Sequence, residues 1–319
     1  MNHSFSSIDI ALTHFTKSHN SFEIGSANLQ AEHSMGKAKF FVDLGVGNRI
    51  DQVNQTDNGS ISLVKELNFT YELMSGLEIT AGTFQRHFGV EKINAVSNSN
   101  YSMSYSFSTS PLLNTGFKAN YKFDEFNVMI GFANPHDFKS ALASNTTQKT
   151  VLAQFGYSVE NTKISVNYQS ASHNAVNPNL LTQLNRENYN LFNITACHKV
   201  DDKLSLALDA NYRIKTFDYN NYSKEVIGVA GYLKYAVKEN LKLAYRLEYF
   251  DDSKFSNEID LRGGNVISNT ISANYTVGNL VIVPELRGDF SNKDAFYNAT
   301  DGKGVKYNAA FLIAGIYKF

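Results

Sequence analysis

Tryptophan is absent from this 319-residue chain, proline occurs four times and cysteine once. The single thiol, Cys197, cannot close an internal disulfide, so cysteine usage says nothing of redox compartment. Charge of one sign is also lacking: 29 Lys and Arg stand against 30 Asp and Glu, a formal charge of −1. A nucleic-acid partner would call for a basic surface, and none is encoded. No stretch approaches the ~18 consecutive apolar residues of a transmembrane helix. A mean hydropathy of −0.29 does not exclude a β-barrel, whose strands cross a bilayer with much weaker hydrophobicity per segment.

Catalytic signatures are missing as well. There is no G-x-S-x-G, H-E-x-x-H, P-loop or C-x-x-C, and the eight histidines are scattered. Acidic pairs such as Asp251-Asp252 lack the ligand spacing of a calcium loop. No enzyme activity, cofactor or metal is therefore expected, although a Ser–His pair on neighbouring strands, as in an outer-membrane lipase, would leave no such motif. Cys197 reads as an inert wall residue. Met1-Asn2-His3-Ser4 has neither the basic nor the apolar region of a signal peptide. An exported protein needs one, so the expectation is a leader already removed.

What the chain does have is two-residue alternation from end to end. The last fifteen residues are the clearest case. Tyr307, Ala309, Phe311, Ile313, Gly315, Tyr317 and Phe319 share one face. Aromatic residues at both ends with apolar residues between are the outer profile of a bilayer-crossing strand. A chain ending on an aromatic residue, here Phe319, resembles the signal that outer-membrane barrels present to the barrel-assembly machinery. Alternation predicts strands at 5–16, 21–33, 37–50, 61–74, 77–87, 112–123, 126–133, 148–159, 162–171, 189–200, 203–215, 225–237, 240–250, 264–277, 280–290 and 305–319. These are about 16 segments of roughly membrane-crossing length, with 14 or 18 as alternatives.

The connections alternate too. Short turns fall at Ser34-Met35-Gly36, Ser75-Gly76, Asp124-Glu125, Glu160-Asn161, Asp201-Asp202, Lys238-Glu239 and Gly278-Asn279, and longer polar loops at 51–60, 88–111, 134–147, 172–188, 216–224, 251–263 and 291–304. Short turns on one side and long loops on the other, with the first hairpin around His19-Asn20 departing by a short loop on the long side, are the asymmetry of an outer-membrane barrel. The expectation is all-β: one closed antiparallel transmembrane barrel over residues 1–319, with 305–319 pairing to 5–16.

Faces follow from width. A closed barrel of this many strands is too wide to be filled by its own wall side chains. The apolar face, such as Leu241, Leu243, Tyr245, Leu247 and Tyr249, must then meet lipid, and the polar face must line the lumen. The predicted pore-lining charges are Glu66, Glu72, Glu78, Asp209, Glu248, Glu285 and Asp289 against Arg86, Lys118, Lys122, Arg213, Arg246 and Arg287. Neither sign dominates, so strong ion selectivity is not expected; a solvated wall of cross-strand pairs and a transverse field both fit. Loop 88–111 is the longest, and its Glu91, Lys92, Tyr101 and Tyr105 are candidates for a constriction if it folds inward; an external cap is the alternative.

Several stretches carry a family resemblance: Gly36-Lys37-Ala38-Lys39-Phe40-Phe41-Val42-Asp43-Leu44-Gly45; Leu77 to Phe84 followed by Phe88-Gly89-Val90-Glu91; Asn100 to Phe107; Asn114-Thr115-Gly116; and Gly131-Phe132-Ala133-Asn134-Pro135. Together they resemble the putative beta-barrel porin-2, OmpL-like family typical of Bacteroidota outer membranes, most specifically over 36–157. Many members have Gly-Tyr-Glu at Gly89-Val90-Glu91 and Ser-Arg-Ser at Ser102-Met103-Ser104, so that loop arginine is missing here. The resemblance implies a porin-like protein of the bacterial outer membrane, with the lipid bilayer and small hydrophilic solutes as partners. A homotrimer is one assembly open to it. The competing expectation is a loop-plugged barrel serving as adhesin, receptor or assembly partner.

Overall fold

Fifteen strands hydrogen-bond in one antiparallel sheet, each beside its neighbour in sequence. The computed structural model describes residues 12–16, 20–54, 59–134, 139, 149–176, 184–217, 222–254, 263–298 and 302–319. The order begins with β1 (Ala27–Met35), β2 (Ala38–Val46), a short helix α1 (Asn48–Val53), β3 (Val64–Met74) and β4 (Leu77–Gln85). A second short helix, α2 (Tyr105–Ser108), precedes β5 (Leu113–Phe123), β6 (Phe126–Ala133), β7 (Thr150–Val159), β8 (Thr162–Val176), β9 (Leu184–Lys199) and β10 (Leu204–Phe217). Then come β11 (Tyr222–Lys238), β12 (Leu241–Asp251), β13 (Asn265–Val277) and β14 (Leu280–Ser291). A two-residue ribbon, β15 (Phe296–Tyr297) with β16 (Gly304–Val305), sits in the last loop, so β14 pairs with β17 (Tyr307–Tyr317).

The sorting of connections is as the sequence predicts. One end carries tight turns with a left-handed residue at Gly36, Gly76, Asp124, Glu160 or Gly278, the backbone that a two-residue hairpin needs. The other end carries the long connections. Strands β8 to β11 run past the predicted limits, so 172–176, 184–188, 216–217 and 222–224 are strand. By contrast β2 stops at Val46, because Gly47 (φ 108°) turns the chain into α1.

The first predicted strand is the main correction. Residues 12–16 form turns, with Phe15 at φ 72°, and both Thr13 and Phe15 are buried. Phe15 packs with Val53, Ile93, Met103 and Phe107 and serves the interior instead of a ladder. Residues 5–11 lie outside the described residues. Among the described residues the sheet therefore has 15 strands, beside the expected number of about 16. Its outer members, β1 and β17, each have one partner among the described residues, so the predicted pairing of 305–319 with 5–16 is not formed over 12–16. Both β1 and β17 run from the loop end towards the turn end.

The side-chain faces are inverted relative to a soluble protein. On β12, Leu243, Tyr245, Leu247 and Tyr249 are 38–46% exposed, whereas Ala244, Arg246, Glu248 and Phe250 are at most 1% exposed. Leu286, Phe311, Ile313 and Phe290 continue the exposed apolar band across β14 and β17. Apolar surface left outside and charge inside fit lipid on the convex face. No helix is long and apolar enough to cross a membrane among the described residues.

Candidate functional site

The connection between β4 and β5, residues 86–112, folds into the concave side of the sheet. It touches strands far apart in the order. Gln154 of β7 donates to the His87 carbonyl at 2.7 Å. Val90 N donates to Asp209 of β10 at 2.8 Å. Glu91 pairs with Arg246 of β12 at 2.5 Å, Lys65 of β3 donates to Asn94, and Arg49 of α1 donates to the Ile93 carbonyl at 3.0 Å. One segment can meet β3, β7, β10 and β12 together only if the sheet curls around it.

Backbone satisfaction explains how the loop is held. An irregular segment brings unpaired N–H groups into the interior, and buried backbone donors need partners. Wall carboxylates supply them two at a time. Glu285 accepts from Tyr101 N at 2.7 Å and Ser102 N at 2.9 Å. Glu248 accepts from Tyr105 N at 2.8 Å and Ser106 N at 2.9 Å. Wall guanidiniums take the carbonyls: Arg246 donates to Ser102 O at 2.6 Å, Arg287 to Met103 O at 2.7 Å, and Arg213 to Thr109 O. Within the loop, Ser104 caps α2 through Phe107 N and donates to Glu91 at 2.6 Å. Gly228 of β11 lets α2 in, because a Cβ there would collide with Ser106 Oγ. The interior is also partly apolar, contrary to a wholly wet lumen. The loop brings Ile93, Met103, Phe107 and Leu112 against Phe15 and Val53, and Tyr105 against Phe250 and Val266.

The family is decided by the whole chain. The family model described as "Putative beta-barrel porin-2, OmpL-like" matches residues 2–319. The chain belongs to this family. No curated protein matches it. Solved outer-membrane structures are similar in fold to this porin-2 family member. OmpT, an outer membrane protein of Vibrio cholerae, is 13% identical with TM-score 0.60, over 92% of this chain and 88% of that one. The outer membrane channel DcaP of Acinetobacter baumannii is 16% identical with TM-score 0.59, over 93% and 85%. The anion-selective porin from Comamonas acidovorans is 10% identical with TM-score 0.58, over 92% and 84%.

In this porin-2 chain the predicted charges separate into two groups. Glu66, Arg86, Asp209, Arg213, Arg246, Glu248, Glu285, Arg287 and Asp289 are all buried. Most of them grip the loop directly. Asp289 orients Arg287 at 2.9 Å, Glu66 binds Gln85, and Arg86 lies 4.2 Å over the Phe107 ring. The second group, Glu72, Glu78, Lys118 and Lys122, stays partly or fully exposed nearer the turn end. Glu72 and Glu78 sit directly opposite each other on β3 and β4. Of the loop candidates, Glu91 and Tyr105 are buried, Tyr101 is half-buried and stacks beneath Arg49 at 5.2 Å, and Lys92 is exposed. His87 is tucked against the wall, Nε2 donating towards the Ala153 and Tyr168 carbonyls at 3.1 and 3.2 Å. Burial holds its pKa down at about 4.

Strict alternation hid one pair. It assigns Lys65 to the lipid face with Leu67 and Phe69. The register shift between β2 and β3 at Asp43/Leu44 turns Lys65 inward, where it binds Asp43 at 2.8 Å in full burial. A bulge re-aims a side chain in this way, and no residue pattern marks it. Asn193 and Gln154, which donate to Asp209 and to the His87 carbonyl, are further inward residues that alternation does not single out. Polar inward positions carry no signal until a loop is known to lie against them.

Proposed function

We propose that the protein is an outer-membrane porin that lets small hydrophilic solutes diffuse passively down their own gradients, with loop 86–112 setting the constriction. The observation that supports it is the clamp just described: a loop pinned by wall charges is a fixed internal narrowing, not a loose external cap. The exposed apolar band supports a lipid-facing outer wall, and Phe319 would serve recognition by the assembly machinery. No enzymatic step, cofactor or metal is part of this reading. A homotrimer is the proposed assembly; one of the similar structures, OmpT of Vibrio cholerae, was solved in a trimer form.

A second reading has its own observation. The apolar cluster of Phe15, Val53, Ile93, Met103, Phe107 and Leu112 inside the sheet suits a barrel plugged by loop and N-terminal segment, whose work is done by its outer loops. Single-channel conductance of the refolded protein in a planar bilayer separates the two. The porin reading expects stable ohmic steps that scale with salt and grow larger when 92–106 is deleted. A folded, heat-modifiable barrel without steps would overturn it in favour of the plugged one.

A further inference from the structure

The structure holds a hollow beside the clamp. It lies between the loop and the inner face of β8 to β11, near the turn end, with a volume of about 390 Å³. Its form follows from register. Lys163, Cys197, Ala207 and Tyr232 are successive cross-strand partners on β8, β9, β10 and β11. Lys199, Ser205 and Lys234 form the next row towards the turns. All seven share the inward face.

The floor is therefore made of three small side chains, Cys197, Ala207 and Ser205, and the flanks of three lysines and a tyrosine. Adjacent strands are ~4.8 Å apart, so Lys199 and Lys234 stand about 10 Å apart across Ser205. Long flexible ammonium groups at that spacing can converge on one small anion. The roof is loop residues 97–100, and it is fixed: Asn98 bonds both backbone groups of Lys92, Asn274 donates to Ser99 O, and Asn100 donates to Ser272. A site whose walls are already ordered loses little entropy on binding.

The charge balance favours an anion. Two carboxylates line the hollow, Glu91 and Glu160. Glu91 is committed to Arg246 and to Ser104, and Glu160 lies in the β7–β8 turn. Lys199 pairs with the exposed Asp202 at 2.7 Å, a contact worth little in water. Lys163 and Lys234 have no ion-pair partner among the described residues.

We propose that this hollow is a binding site for compact oxyanions, small carboxylates or phosphate, held by Lys163, Lys199 and Lys234. It goes beyond the porin reading and stands whether or not the barrel conducts, so it is tested by binding. Refolded protein in detergent is titrated with succinate and with inorganic phosphate by isothermal calorimetry. Saturable binding of at least one anion is expected. Lys163→Gln/Lys234→Gln should weaken it tenfold or more, and so should Ser205→Leu, which fills the floor without altering charge. Displacement of succinate by phosphate would support a general oxyanion site, and succinate that phosphate cannot displace would support a carboxylate site. Absence of saturable binding for both anions, or an affinity unchanged in Lys163→Gln/Lys234→Gln, would overturn the assignment.

Discussion

Removing the carboxylate of Glu248 is the sharpest probe of the clamp. Glu248 is fully buried and accepts from Tyr105 N and Ser106 N at 2.8 and 2.9 Å. Each hydrogen bond to a charged group contributes ~1.5–3 kcal/mol, and its loss strands a buried donor. Glu248→Ala should thus cost the seated form of α2 about 3–6 kcal/mol. At ~1.4 kcal/mol per decade, the population of locally open loop rises by about 10² to 10⁴. Glu248→Gln keeps one acceptor oxygen and should lie near 10 to 10². Amide hydrogen exchange on refolded protein reads this out directly. Protection should fall at Tyr105 and Ser106, fall less at Tyr101 and Ser102, which Glu285 still holds, and stay constant along the β12–β13 ladder. Unchanged exchange at Tyr105 and Ser106 would refute the clamp. Equal loss along β12–β13 would show that Glu248 supports the wall and not the loop.

Gly228→Val should push α2 off β11, because even a Cβ collides with Ser106 Oγ; the check is faster proteolysis within 100–110 with the barrel's heat-modifiable band retained. Acid should loosen the loop through His87. Its seated pKa of about 4 lies below the ~6.5 of a free histidine, so below pH ~6.5 the unseated loop takes up a proton that the seated one refuses. Seating is then fully present above pH ~6.5 and weakens down to pH ~4 by roughly 3 kcal/mol. Lys118 and Arg86, the nearby cations, act in the same sense. His87→Gln should flatten that pH dependence of exchange, and a slope equal to wild type would rule His87 out. On the outer face, Leu247→Arg at mid-strand should cost ~2–4 kcal/mol of barrel stability in lipid, measured by urea unfolding in vesicles; a neutral result would place Leu247 away from the acyl chains.

Legibility in the sequence tracked how local the cause was. Strand placement was readable because alternation is imposed residue by residue on a wall with lipid on one side. Leu243, Tyr245, Leu247 and Tyr249 declare their face without knowledge of any neighbour. Turn positions were readable for the same reason, as Gly76 and Gly278 supply their own left-handed backbone. The N-terminal segment failed because alternation at 5–16 looks the same whether Phe15 faces lipid or enters a cluster with Phe107. The inward position of Lys65 failed because a bulge is a property of two strands together.

The inner charges were found by sequence, but their surroundings were not. Mixed-sign residues on an inward face suggest a solvated wall, because nothing in β12 or β14 alone states what lies opposite. The deciding quantity is the demand of the loop. Residues 100–109 bring in N–H and C=O groups that a short helix of four residues cannot satisfy. Carboxylates are acceptor-only and guanidiniums donor-only, so a wall that must hold an irregular backbone needs both. Glu285, Arg246, Glu248 and Arg287 meet that demand in turn: two N–H groups, a carbonyl, two N–H groups, a carbonyl. A wall serving solute alone has no reason to match consecutive amides of one segment. Among the described residues Lys163, Lys199 and Lys234 match no backbone group in this way, and like Glu72, Glu78, Lys118 and Lys122 they remain available to something that arrives from outside.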